Sequence, residues 1–476
     1  MSLWQKKEKK ERISSMEAYR RAAQQAQRAR QEESFYSEPV PQEPDPEPEQ
    51  PEQPEKSKPE RRGWLFRRKK SAPSAPTQEV RAQHGPKSDV PRLEQIRRRK
   101  HERRMRRAAL ALIALIAFFL YLGGIFSASI NLFSDLLDTT RIALTPGKGW
   151  PVDQQIEGLF DIQPISGGVA LCGSSELVLY SSTARQLHSV QHGYASPVMT
   201  SGKTRICVYD QGGKELRVES RSRTLMTRTT EYPILTADMA RGGTLAVATR
   251  SERYLAEITV YDLNFEEIYY AYLAEYYPYL VELSGSGNQM AVVCMKVENG
   301  SFGAQLQFYD LTASSDAQRV TVDLPGCTPL QLHYSADGML VVICDEFTAL
   351  YDPATGEERA RYDYGDRQLL TADFYGRNTL LVFDRVGSGV SGSCLLLGET
   401  LQQLTAVSYA FDLADAALGS ENFYLIGEET AVGYDLTGKQ VVSQSLSSEG
   451  RLVAVGKQPL AVTTKEILQL TPLTNQ

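Results

Sequence analysis

Two patterns of apolar residues divide the chain. Residues 108–130, AALALIALIAFFLYLGGIFSASI, are apolar on every face and carry neither charge nor proline. Roughly 20 such residues in a helix cross a bilayer core of about 30 Å, so this run predicts one transmembrane helix. From residue 141 onward the pattern changes to short runs rich in β-branched and aromatic residues, broken by Gly, Asp and Asn. Such runs predict strands joined by tight turns. One phrase recurs: an apolar strand ending in Tyr-Asp, a turn, then another strand. It stands at Tyr209-Asp210, Tyr261-Asp262, Tyr309-Asp310, Tyr351-Asp352 and Tyr434-Asp435, with degenerate copies at Tyr180, Leu397 and Leu470. A second phrase runs ahead of it, most cleanly in LHYSADGMLVVICDEFTALYD (332–352): strand, Asp337-Gly338 turn, strand, turn, strand. Asp-Gly supplies the positive φ of a tight hairpin. The Asp after Tyr can accept hydrogen bonds from amides of the turn that follows.

The unit is four antiparallel strands in about 40 residues, the size of one propeller blade. A β-sandwich array would repeat at about 100 residues. The expected fold class is therefore all-β, a β-propeller over 151–476. Eight copies predict eight blades. The gap of 29 residues between Tyr180 and Tyr209, against 36 to 52 elsewhere, leaves seven open.

Charge separates the two sides of the apolar run. Residues 1–107 hold 28 Lys+Arg and 17 Asp+Glu, a net of +11; the remainder holds 24 and 41, a net of −17. A basic segment before the helix (96–107, IRRRKHERRMRR) and none directly after it place the N-terminus in the cytoplasm and the C-terminal domain outside. The expected location is a bacterial cell membrane, crossed once. The basic segment would also attract anionic lipid headgroups, at about 1 kcal/mol per cation near the surface. No folded nucleic-acid-reading module accompanies that charge, so no nucleic-acid partner is expected. Residues 1–37 read as a basic arm, either a solvated helix or disordered. Residues 38–95, with eight prolines between Glu38 and Glu60, read as a disordered spacer. Residues 131–150 read as a linker.

Chemistry is sparse. The six cysteines all lie beyond the apolar run, mostly in strand-like contexts where cysteine is a small buried hydrophobe, and their pairing stays open. There is no CxxC, GxSxG or HExxH, and only His188, His192 and His333 lie in the outer part. Quinoprotein dehydrogenases are also eight-bladed, but here Trp4, Trp64 and Trp150 all fall outside the repeats and no two cysteines are adjacent. No catalytic, cofactor-binding or metal-binding residues are expected, and the chain is not expected to be an enzyme. Two clusters remain as candidates for contact. Tyr269, Tyr270, Tyr272, Tyr276, Tyr277 and Tyr279 form either an exposed aromatic platform or ordinary sheet packing. Trp64, Phe66, Arg67 and Arg68 combine apolar bulk with charge, as a membrane-interface or partner motif would. KVENGSFGAQ (296–305) and RVGSGVSGS (385–393) are expected as loops on one rim.

By its repeated Tyr-Asp and Asp-Gly phrases this half resembles WD40-like propellers. In overall plan, over residues 90–476, the chain resembles uncharacterised single-pass membrane proteins of Firmicutes with an outside propeller. The resemblance implies fold and location and brings no reaction. The expected role is a scaffold for a protein or cell-wall partner; the alternative is a ligand sensor or ectoenzyme using the central channel.

Overall fold

The computed structural model describes residues 135, 138–142, 144–298, 301–313, 320–385 and 391–473. The apolar run 108–130, the basic arm, the spacer and the cluster at Trp64 to Arg68 lie outside the described residues. Among those described, no helix is long and apolar enough to cross a membrane.

The strands form eight antiparallel four-stranded sheets. A short strand, β1 (Val152–Asp153), comes first. Blade 1 is β2 (Asp161–Ile165), β3 (Gly168–Cys172), β4 (Glu176–Ser181) and β5 (Gln186–Gln191). Blade 2 is β6 (Pro197–Ser201), β7 (Arg205–Asp210), β8 (Glu215–Ser220) and β9 (Thr224–Thr229). Blade 3 is β10 (Ile234–Met239), β11 (Leu245–Thr249), β12 (Ala256–Tyr261) and β13 (Glu267–Leu273). Blade 4 is β14 (Tyr277–Leu283), β15 (Gln289–Glu298), β16 (Ser301–Asp310) and β17 (Val320–Pro325). Blade 5 is β18 (Pro329–Tyr334), β19 (Leu340–Cys344), β20 (Phe347–Tyr351) and β21 (Glu358–Asp363). Blade 6 is β22 (Leu369–Tyr375), β23 (Asn378–Phe383), β24 (Gly392–Leu397) and β25 (Gln403–Tyr409). Blade 7 is β26 (Leu413–Leu418), β27 (Asn422–Gly427), β28 (Thr430–Asp435) and β29 (Gln440–Ser445). Blade 8 is β30 (Gly450–Val455), β31 (Pro459–Thr463) and β32 (Glu466–Gln469), completed by β1: Val152 pairs with Ile467 and Asp153 with Glu466. The first strand of the domain thus closes the ring beside the last. The described residues form an eight-bladed β-propeller.

Burial explains the sequence pattern. The second and third strands are sandwiched between neighbouring blades, so β19 and β20 are buried at every position. Strands covered on both faces read as continuous apolar runs. The outermost strands have one covered face, and β21 alternates exposed and half-buried positions. Eight apolar clusters result, one for each seam between adjacent blades. The seam of blades 3 and 4 packs Ala246, Ile258 and Val260 against Val281, Met290 and Val292.

The Tyr-Asp phrase marks the third strand in seven blades. Tyr209 and Asp210 are the exception, since they end a second strand, β7. This accounts for the 29-residue gap and removes the seven-bladed alternative. The carboxylates of Asp262, Asp352 and Asp435 accept from the amides of Asn264, Ala354 and Thr437 at 2.8, 2.9 and 2.9 Å, capping the turn ahead. Asp210 caps a different element, accepting from Ser196 N at 2.8 Å. The Asp337-Gly338 turn has Gly338 at φ 85°.

Antiparallel order assigns the connections to two faces. Turns from first to second and from third to fourth strands open on one face, here the lower. Turns from second to third strands and blade-to-blade links open on the upper face. Residues 296–298 and 301–305, expected as loop, extend β15 and β16 into a hairpin of two ten-residue strands instead, paired as far as Glu298 and Ser301. Of the expected loop 385–393, residues 386–390 lie outside the described residues, and Gly392 and Ser393 already belong to β24.

Ring closure depends on the outer edge of β32. Ile467→Ala, at a site 1% exposed, is expected to cost about 3 kcal/mol in urea unfolding. Leu473→Ala, at a site 48% exposed, is expected to cost under about 0.5 kcal/mol.

Candidate functional site

The innermost strands are β2, β6, β10, β14, β18, β22, β26 and β30. Each packs against the innermost strand of the next blade around the axis, and none has a further strand to pair with. Their channel-facing positions carry Asp161, Gln163, Thr200, Asp238, Glu282, His333, Asp373 and Asp415. Glu282 and His333 remain 23% and 32% exposed at the side chain, which leaves them in contact with the channel.

These side chains link seven of the eight neighbouring pairs of blades, from blade 1 through blade 8, in one rotational sense. The Asp238 carboxylate accepts from Leu283 N at 2.8 Å, Asp373 from Leu418 N at 2.7 Å and Asp415 from Val453 N at 2.9 Å. The Glu282 carboxylate accepts from the Tyr334 amide. Met239 N donates to Thr200 Oγ1 at 3.1 Å, and that hydroxyl donates to Asp238 at 2.8 Å. Gln163 Nε2 donates to Met199 O at 3.2 Å and to Asp161 at 3.0 Å. Between blades 5 and 6 the link is aromatic: His333 stacks on Phe374 with ring centroids 4.5 Å apart. His333 Nδ1 also lies 3.6 Å from Glu282 Oε1. An inner strand edge exposes amides that water alone would otherwise satisfy, and an acceptor from the preceding blade meets that need.

Five carboxyls around one axis are hard to ionise together. Burial is the leading cause at every one, lifting Asp161, Asp238 and Asp415 to about 7, Asp373 to about 6 and Glu282 to about 8. Charge repulsion adds to it, from Glu282 on Asp238 and from Asp373 and Asp161 on Asp415. The amide hydrogen bonds pull the other way. Burial pushes His333 toward its neutral form. The ring can therefore hold protons near neutrality. Among the described residues, no three His, Cys, Asp or Glu side chains stand as a metal-ligand group.

His333 is the only member singled out by sequence patterning. A usable signal exists: Thr-Ala-Asp at 236–238 and 371–373 and Leu-Ala-Asp at 413–415 each place a lone acid in an apolar strand shortly before a turn. The other two histidines serve elsewhere. His188 Nε2 meets the buried Glu219 at 3.0 Å, and Arg217 Nε meets the same carboxylate at 2.7 Å, within the seam of blades 1 and 2. His192 Nδ1 accepts from Tyr194 N at 3.2 Å.

The six candidate tyrosines are not brought onto one surface. Strand alternation turns Tyr269 inward, edge-on to Tyr309. Tyr276 packs on the seam of blades 3 and 4, and the half-buried Tyr279 donates to Pro329 O at 3.2 Å. Tyr277 is half-buried. Tyr270 and Tyr272 point outward and stack with centroids 6.5 Å apart, and Tyr254 joins Tyr272 at 4.9 Å. The outward pair therefore gains a third ring from a distant turn.

Residues 152–470, the whole set of blades, match a sequence model described as a family of unknown function, DUF5711. No protein of curated function matches the chain. Among solved structures, the C-terminal WD40 domain of Sif2 is 11% identical, covering 67% of this chain and 100% of that one at a TM-score of 0.47. The computationally designed Ika8 protein is 11% identical, with coverage of 66% and 97% and a TM-score of 0.49. BamB from Moraxella catarrhalis is 10% identical, with coverage of 69% and 98% and a TM-score of 0.44.

The raised carboxyls set a sign for pH dependence. Unfolded, they ionise near their ordinary values of 3.8 and 4.5; folded, they hold protons up to about 6 to 8. The native state then binds more protons across that interval. Its share of stability is full at the acid end and is lost as pH rises to about 8. His333 works in the opposite direction below 6.5, as one group against five. The midpoint of thermal unfolding is expected to fall between about pH 5 and 8, and Asp238→Asn, which keeps an acceptor for Leu283, should flatten that slope. Asp415→Ala, which strands the Val453 amide, should cost about 1–3 kcal/mol.

Proposed function

The chain belongs to DUF5711, a family that brings no reaction with it, and we propose that it is a single-pass bacterial membrane protein that displays its propeller outside the cell. In this reading the N-terminus is cytoplasmic, and the disc is a scaffold for a protein or cell-wall partner, without catalysis of its own. The observation that carries the reading is how the segment between the apolar run and β1 meets the disc.

Residues 135, 138–142 and 144, within the expected linker, are helical. Two arginines buried at 1% and 2% exposure receive them, Arg221 and Arg205. Arg221 donates to Asp135 O at 2.8 Å, to Thr139 Oγ1 at 2.7 Å and to Ser166 O at 3.0 Å. Arg205 donates to Leu263 O at 2.7 Å and stands 3.9 Å from the Asp135 carboxylate. Ser222 donates to Asp138 at 2.7 Å and Thr204 to Asp135 at 3.2 Å. Further along, Gly147 and Gly149 bind Thr183, and Trp150 Nε1 donates to Ser182 O at 3.3 Å. Every one of these disc positions lies in or beside a lower-face turn. A buried guanidinium is costly without placed acceptors; Arg221 finds three, so its docking admits little slack, while Arg205 Nε makes no hydrogen bond and has only the Asp135 carboxylate nearby.

A chain that leaves a bilayer and docks in this way would hold the disc with its lower face toward the membrane. The upper face, with the long β15–β16 hairpin, would then face outward. The rule that loops on a rigid frame carry recognition makes that face the binding side. The basic segment 96–107 would sit against anionic headgroups on the inner side.

The channel favours a second reading, a sensor or ectoenzyme, because burial raises its five carboxyls to about 6 to 8 beside a histidine held toward its neutral form. The two readings separate in a pull-down from the protein's own cells. Partner recovery unchanged by Asp373→Asn supports the scaffold, and recovery lost with it supports the channel.

Alkaline extraction with protease shaving of intact cells tests the anchoring. The full chain should stay with the membrane, losing a C-terminal epitope and keeping an N-terminal one. A soluble full chain, or a protected C-terminus, would overturn the reading. Arg221→Met is expected to cost about 3 kcal/mol and to open residues 135–150 to protease before the blades.

A further inference from the structure

Two of the six buried thiols meet. Cys344 Sγ lies 3.7 Å from Cys327 Sγ. Cys344 ends β19, and Cys327 lies in the link from blade 4 to blade 5. The backbone fixes both. Gly326 turns the link at φ 70°, Asp345 N donates to Thr328 O at 3.1 Å, and Thr328 N donates to the Asp345 carboxylate at 3.0 Å. Pro329 pairs with Cys344 in register. The sulfurs are thus held side by side by two tied strands.

This pair also has a way in. A crevice of about 420 Å³ opens between β17 and the outer strands of blade 5, and Cys327 forms part of its wall with Leu324, Pro325, Phe347, Tyr351 and Arg361. Arg361 lies over the Phe347 ring at 3.7 Å, which places a cation in the same crevice. Cys172, Cys207 and Cys394 differ: each is buried in a strand, and burial pushes its thiol to hold its proton. At Cys327 the hydrogen bond from Cys344 works the other way and favours the thiolate.

From the paired sulfurs and the crevice that reaches one of them, we infer that Cys327 and Cys344 are a reversible dithiol–disulfide site whose oxidant is a disulfide compound entering through the crevice. The Cys327 thiolate attacks one sulfur of the compound, forming a mixed disulfide and releasing a first thiolate. Cys344 gives up its proton and attacks the Cys327 sulfur, forming the internal disulfide and releasing a second thiolate. The two protons from the protein end on the two released thiols. The protein loses two hydrogens, and the compound is reduced by two electrons. Closure needs an S–S bond of about 2.05 Å, so the sulfurs must approach by less than about 2 Å. The product staples the blade 4–5 link to the second strand of blade 5, across the seam held by Leu324, Leu332 and Val342. The inference rests on sulfur geometry and holds whether or not the chain is anchored in a membrane.

The full chain, purified reduced and then exposed to oxidised glutathione, tests it by peptide mapping without reduction. The expected map holds one linked pair, Cys327 with Cys344, with the protein lighter by two hydrogens, a higher thermal midpoint, and full reversal by dithiothreitol. In C344S the attack stops midway, so Cys327 should accumulate bound glutathione; in C327S, Cys344 should stay unmodified while folded. Both thiols still alkylatable after oxidant and unfolding, or a link to any other cysteine, would overturn the site. The map of the unsubstituted chain decides the matter even where a variant fails to fold.

Discussion

The inner edge of every blade faces the same difficulty: a strand whose outward amides have no further strand to bind. At five of the eight blades the solution is a side chain from the preceding blade, as where Thr200 meets Met239. Asp238 meets Leu283, Glu282 meets Tyr334, Asp373 meets Leu418 and Asp415 meets Val453. An uncharged amide would serve the same geometry, but a carboxylate accepts more strongly from N–H. The consequence is a channel ringed with acids that resist ionisation together, so the architecture's own fastening creates its most chemically responsive region.

The apolar clusters and the polar ring share the work by radius. Near the axis, hydrogen bonds and the His333–Phe374 stack join neighbouring blades. Further out, eight apolar clusters fill the seams. Close packing makes these seams sensitive to the loss of a single methyl group, while the outermost strands remain tolerant. The seam of blades 4 and 5 is distinct in placing two thiols in its wall, where the crevice beside β17 gives one of them access.

The lower face differs from the upper for a reason of charge. Arg221 would be costly in that interior alone, and the segment 135–150 supplies two of its three acceptors, Asp135 O and Thr139 Oγ1, while Arg205 has the Asp135 carboxylate 3.9 Å away. Helix, arginines and turn carbonyls therefore form one bonded unit. The first strand of the domain continues from it directly into blade 8, so entry to the disc and closure of the ring are one structural event.

Sequence alone carried the class of fold, because strands sandwiched between blades must be apolar on both sides and turns at a fixed spacing must be built from Asp and Gly. It also carried the direction of the acidic imbalance after residue 130. The Tyr-Asp phrase misplaced one strand, since Asp210 caps toward Ser196 and not the turn ahead of it, a choice local sequence does not encode. Tyrosine spacing suggested a platform, but alternation and a blade boundary split the six residues. Only the tertiary structure gathered Asp161, Asp238, Glu282, His333, Asp373 and Asp415, which lie far apart along the chain. It alone set Cys327 beside Cys344 and buried Arg221 against Thr139. Each of these depends on ring closure, and closure brings together residues whose partners no local pattern can name.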